Sequence, residues 1–261
     1  MSDAVLVERD GAIASLTFNR PDVRNAMTPE LTDAFTEAIE QLRGDAAVRV
    51  VIVTGAGKAF CAGGDLSWVK PGPGADVPSM RTKMRSFYPR FLAIRSLDVP
   101  TIAAVNGAAI GAGLCVAMAC DLRVAAEDAK LSTAFMRLGM HPGMAATYLL
   151  TRLVGTARAA ELFFTAKTVD GKEAERIGLV NRAVPAGSLL DEARELANEI
   201  AANAPIPMGM AKRAIYLAER ADLETMLEYE GLAQPVTMAT ADLLEGLQAV
   251  KEKRPPKFEG R

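Results

Sequence analysis

Histidine is almost missing from this chain of 261 residues: there is one, His141. Cysteine is scarce as well, at three residues, and Cys61, Cys115 and Cys120 have no metal-ligand spacing, so no metal site is expected. An odd number of thiols is a poor disulfide framework and suits a reducing compartment, so a cytoplasmic location is expected. Cys115 and Cys120 lie five apart in an apolar stretch, where buried, inert thiols are the default. The apolar runs fall short of a membrane span and are broken by Gly and Asn, which argues against a membrane partner. Met1-Ser2-Asp3-Ala4 lacks the charged head and apolar run of a secretory signal. A net charge of −2 leaves no basic footprint, so nucleic acid is excluded as a partner.

Half of the residues are apolar and about a quarter are charged, enough for one large domain or a domain with an appendage. Alternation over 4–8 and 13–18 around Asp10-Gly11 predicts a hairpin. Thr28-Pro29 opens a helix whose apolar residues, Leu31, Ala34, Phe35, Ala38, Ile39 and Leu42, recur at helical spacing. The β-branched run Val48 to Thr54 is a buried strand, 80–97 is helical, and 121–126 and 131–135 are strands. Helical pieces follow at 147–153, 156–165 and 171–177, and four more lie at 188–203, 207–220, 222–233 and 239–252. An α/β core over 1–186 and a helical region over 187–261 are therefore expected. No repeat of fixed period is visible, and Lys70 to Pro78, rich in Pro and Gly, reads as a loop.

Two Gly-rich junctions stand out. Val99 to Val105 is an apolar strand stopped at Asn106-Gly107, followed by small residues through Gly113 and a new apolar segment from Leu114. Ala59-Phe60-Cys61-Ala62-Gly63-Gly64-Asp65-Leu66 repeats the theme. A strand, a tight turn and a helix start leave backbone N–H groups unpaired and aligned with the helix dipole, which suits a developing anion; close packing without chemistry is the alternative. Gly55-Ala56-Gly57-Lys58 lacks the spacing and the following Ser or Thr of a phosphate loop. Gly111-Ala112-Gly113 lacks the third Gly of a dinucleotide fingerprint.

With Asn19-Arg20-Pro21, Arg24-Asn25-Ala26, Ala117-Met118-Ala119-Cys120-Asp121, Leu138-Gly139 and Pro142-Gly143, these junctions make the chain resemble the crotonase superfamily, the enoyl-CoA hydratase/isomerase family. Gly178-Leu179-Val180 and the tail Glu252 to Phe258 extend the match over nearly the whole chain. The resemblance implies a crotonase-like ββα spiral core with a helical C-terminal trimerisation region, hence a homotrimer or a hexamer built as a dimer of trimers. It implies an acyl-CoA thioester as substrate, with coenzyme A part of that substrate and no separate cofactor. The thioester enolate would be held by the N–H groups of Gly64 and Ala112, each worth about 3–4 kcal/mol to the transition state. Arg24, Ala26, Ala62, Asp65 and Leu66 would cradle coenzyme A. Lys257 and Phe258 would reach the coenzyme A of a neighbouring subunit or form a plain exposed tail.

The chain departs from the family where its hydratases carry two glutamates: the matching positions hold Cys115 and Phe135, neither suited to moving protons in hydration. Both positions would then line the acyl group. His141 is a candidate general base, imidazole being the side chain that changes charge near neutral pH, and a structural histidine beside a proline is the alternative. Arg137, Thr133 and Tyr148 are candidates for placing water or a polar acyl group, Asp121 reads as a structural cap, and Trp68 either covers the acyl chain or is surface. Isomerases, dehalogenases, hydrolases and decarboxylases of the family work without the pair, but the dehalogenase Trp and Asp are absent at Phe135 and Gly143. The expected activity is enoyl-CoA hydratase-like. A non-catalytic acyl-CoA-binding protein, or an isomerase or hydrolase, is the alternative.

Overall fold

The computed structural model describes residues 3–65 and 74–261. Leu66, Trp68 and residues 70–73 of the expected 70–78 loop lie outside the described residues, and its last two residues already belong to a helix that begins at Val77. The chain opens with β1 (Val5–Asp10) and β2 (Ile13–Phe18), an antiparallel hairpin turning at Gly11. Helix α1 (Pro29–Arg43) is capped by the Thr28 hydroxyl, which accepts from Leu31 N–H, and Pro29 takes a first-turn position where its missing N–H costs nothing.

A unit then recurs: a strand of a large sheet, a short strand of a small one, and a helix. It is built by β3 (Val50–Gly55), β4 (Ala59–Cys61) and α2 (Val77–Leu92), then by β5 (Thr101–Val105), β6 (Ala108–Ile110) and α3 (Ala112–Ala119). The third copy is β7 (Leu122–Ala126), β8 (Leu131–Ser132) and, after a short 3-10 turn over Phe135–Leu138, α4 (Ala146–Thr165), broken at Gly155 (φ +77°). Helix α5 (Gly171–Arg176) and β9 (Arg182–Val184) complete a six-stranded sheet ordered β1-β2-β3-β5-β7-β9, parallel from β2 onward. The small sheet, β4-β6-β8, is parallel too. This alternation between two sheets is the expected ββα spiral.

Strand β3 is buried on both faces, as the run Val50-Val51-Ile52-Val53 requires when layers lie on both sides. Phe35 of α1 stacks on Phe91 of α2, ring centroids 5.2 Å apart, and Phe18 meets Phe35 at 5.5 Å. That aromatic column fixes α2, one wall of the site. The C-terminal helices are α6 (Leu189–Ala201), α7 (Pro205–Ala218), α8 (Leu223–Met238) and α9 (Ala241–Glu252). Helix α6 packs on β2, β3, β5 and β7 through Leu189, Ala193 and Ala197, whereas α8 buries no residue in this chain.

Two short strands escaped the sequence reading. Ala108–Ile110 is a strand inside what reads as a turn, and Arg182–Val184 is too short to show alternation. The strand expected over 131–135 ends at Ser132, and Phe135 begins the 3-10 turn. Asp121 is the structural residue it was expected to be: its carboxylate accepts from Thr101 N–H and the Thr101 hydroxyl, and pairs with Lys212 Nζ at 2.7 Å.

Candidate active site

Parallel strands β4, β6 and β8 end side by side, so the turns that follow them converge. Gly111 N–H donates to Ser132 O at 2.8 Å, tying the end of β6 to the end of β8. Gly63 (φ +95°) approaches so closely that a Cβ there would lie 2.6 Å from Ile110 O and 3.6 Å from Ala112 N. Only glycine satisfies both the conformation and the contact. A Cβ on Gly113 would fall 2.1 Å from Cys61 O, so α3 starts hard against the end of β4.

The loop over 19–27 is strapped to this junction. Asn25, fully buried with φ +55°, accepts from Arg20 N–H and donates to the carbonyls of Ala56 and Ala59 at 3.0 and 2.8 Å. Ala62 N–H donates to Arg24 O, and Met27 N–H to Gly63 O. Arg24 and Ala26 are therefore held beside the 62–64 turn, with the Arg24 side chain exposed. Asp65 ends the described part of this turn, and Leu66 lies beyond it.

Gly64 and Ala112 line one cavity of about 380 Å³. Among the described residues neither of their N–H groups has a protein acceptor. Ala112 is the first residue of α3, where the amide has no partner within the helix and the dipole adds positive character. Two such donors at one apolar cavity suit a carbonyl oxygen that gains negative charge.

The remaining walls come from α2, through Met84, Phe87 and Tyr88, and from the segment 134–144. Phe135 is buried and lies against Gly111. Cys115 is fully buried behind this wall and does not line the cavity; its Sγ donates to Gly143 O at 3.6 Å. Burial, reinforced by neighbouring Cys61, pushes its thiol well above the ordinary range, so it stays protonated and is no base. Arg137 and His141 both line the cavity. His141 Nδ1 lies 2.8 Å from Pro142 O; a carbonyl only accepts, so Nδ1 carries the hydrogen and the neutral ring leaves Nε2 as the acceptor.

Not every sequence candidate converges here. Thr133 is buried and donates to Leu162 O, and the exposed Tyr148 binds Glu219 with Arg152 over its ring, so neither faces the cavity. Lys257 and Phe258 lie away from it, where Lys257 N–H donates to Glu245 and the Phe258 ring rests on Gly246.

Conversely, Tyr88 was missed. A Cβ on Gly143 would lie 2.7 Å from its hydroxyl, which places that hydroxyl directly before the segment Cys115 touches. Burial, then Cys115, raises its pKa, so it is a donor. Its only sequence signal is the four-residue spacing from Met84 on one helix face.

Backbone donors at the ends of parallel strands, facing an apolar cavity, are an arrangement suited to polarising a carbonyl. Comparisons with known proteins show the family. The chain matches the family described as Enoyl-CoA hydratase/isomerase over residues 8–261, and it belongs to that family, within the crotonase superfamily. A probable enoyl-CoA hydratase of Mycobacterium bovis is 38% identical over 259 residues, 99% of each chain. A 1,2-epoxyphenylacetyl-CoA isomerase of Escherichia coli is 34% identical over the full length of both. The crystal structure of an enoyl-CoA hydratase from Bacillus anthracis superposes with a TM-score of 0.93 at 37% identity, covering 99% of this chain and 100% of that one.

Proposed function

We propose that the cavity binds an acyl-CoA thioester with its carbonyl oxygen between the N–H groups of Gly64 and Ala112, and that the enzyme works through the resulting enolate in an enoyl-CoA hydratase-like reaction. The observation that carries this reading is the pair of unpartnered amides on adjoining turns at one apolar cavity. Each is worth about 3 kcal/mol in the transition state. His141 Nε2 is the group proposed to move the proton, because Cys115 is inert and Phe135 has no proton to exchange.

Arg24, Ala26, Ala62, Asp65 and Leu66 are proposed to cradle coenzyme A, with Lys257 and Phe258 serving a neighbouring subunit. No cofactor besides the substrate's coenzyme A is needed, since enolate stabilisation uses backbone donors alone. Residues 187–261 are proposed as the oligomerisation region of a trimer or a dimer of trimers. Support comes from the exposed apolar side chains Leu223, Leu232, Val236, Leu244 and Val250 on α8 and α9, which one chain leaves in water. Three free buried thiols support a cytoplasmic location.

Phe135 and the inert Cys115 favour a second reading, a non-catalytic acyl-CoA-binding protein. Hydration of crotonyl-CoA, followed by loss of the enoyl-thioester absorbance, separates the two. Turnover that disappears in His141→Ala supports the enzyme, and tight acyl-CoA binding without turnover of any enoyl-CoA rules it out.

A further inference from the structure

The polar groups of the cavity are one-sided. Among the described residues no carboxylate lines it, while Arg137 and Tyr88 both do. Among the described residues the Arg137 guanidinium makes no ion pair or hydrogen bond, although other cations are matched: Arg90 pairs with Asp33, and Arg95 and Arg152 with Glu219. The Tyr88 hydroxyl has no hydrogen-bond partner among the described residues either, and burial keeps it protonated. A guanidinium presents forked donors shaped for a carboxylate, and a phenol adds one more. Apart from His141, the rest of that wall is apolar, with Met84, Phe87, Leu138, Met140 and Met144.

We infer that the preferred substrate carries an acidic acyl group: a short apolar stem ending in a carboxylate, held by the Arg137 guanidinium and the Tyr88 hydroxyl. The inference rests on the thioester-binding reading above and names the acyl class that site selects. Its logic is charge complementarity. A carboxylate entering this cavity meets two donors and no like charge, whereas an alkyl end of equal length leaves both donors facing carbon.

The test is a matched pair of saturated thioesters, glutaryl-CoA and valeryl-CoA, equal in chain length and differing in a terminal carboxylate against a methyl. Both carry the same coenzyme A phosphates, so the ratio of their dissociation constants reads the acyl end alone. Glutaryl-CoA is expected to bind the wild type about tenfold more tightly, the effect of one hydrogen bond to a charged group. That ratio falls close to one in Arg137→Met, is kept in part in Arg137→Lys, and shrinks in Tyr88→Phe and at high salt. The Arg137 side chain is exposed and bonds to no side chain or carbonyl among the described residues, so its variants are expected to melt with the wild type. Equal binding of the two thioesters by the wild type overturns the inference and leaves the thioester site standing. If neither thioester binds, the site reading falls and the inference falls with it.

Discussion

Ala112 is proposed to serve the site through its N–H alone, a role testable by one substitution. Proline is tolerated at the first position of a helix and removes that donor. Ala112→Pro is expected to lower turnover about a hundredfold or more while free coenzyme A still binds. The cysteines make the opposite point, residues silenced by their surroundings. Burial pushes Cys61 and Cys120 up to about 12, and Cys115 higher still. None of the three is expected to react with an alkylating agent at about pH 8 unless the protein is unfolded. The sign for stability follows. Below 9.0, the ordinary thiol value, folded and unfolded chains both keep these protons; above it only the unfolded chain loses them. Stability is therefore expected to fall as pH rises from about 9 toward 12, and Cys61→Ala with Cys120→Ala to flatten the fall in a denaturant titration.

At the scale of elements, the site exists because a loop, two turns and a helix start are held against one another. Asn25 ties the loop over 19–27 to the β3–β4 connection and to β4 through its Nδ2, which donates to the carbonyls of Ala56, Ala59 and Phe60, and it holds a left-handed conformation. Asn25→Ala leaves buried carbonyls unmatched and is expected to cost about 2–3 kcal/mol in chemical denaturation. Gly113→Ala drives a Cβ into Cys61 O and is expected to cost about 3 kcal/mol, with loss of activity even where the protein still folds. Much of this was legible in sequence: the β-branched strands, the capped helix at Thr28 and both Gly-rich junctions carry local signals. The wall built by α2 was not. Periodicity tells that 80–97 is helical, but not which distant turn its face will meet, so Tyr148, close in sequence to the Pro142-Gly143 motif, drew attention that belonged to Tyr88. Strand β6 was hidden because Ala108–Ile110 pairs at Ala109↔Leu131 and Ile110↔Ser132, contacts no local pattern reveals.

Across the whole molecule, the helical end is joined to the α/β core by buried charge. Lys212 of α7 pairs with Asp121 at 2.7 Å and donates to Val99 O at 2.8 Å, and Tyr216 also binds Asp121. Asp121→Ala strands the ammonium and is expected to cost about 3 kcal/mol, read as a lowered unfolding midpoint. The exposed leucines and valines of α8 and α9 mark the region proposed for oligomerisation, and light scattering is expected to find three or six chains per particle. No helix among the described residues is long and apolar enough to cross a membrane. The central claim concerns one carbonyl, and isotope-edited infrared spectroscopy of an acyl-CoA labelled with carbon-13 at that carbonyl observes it directly. If Gly64 and Ala112 donate to its oxygen, the C=O band moves to lower frequency on binding and most of that shift is lost in Ala112→Pro. A band that stays at its solution frequency while the thioester is bound contradicts the account.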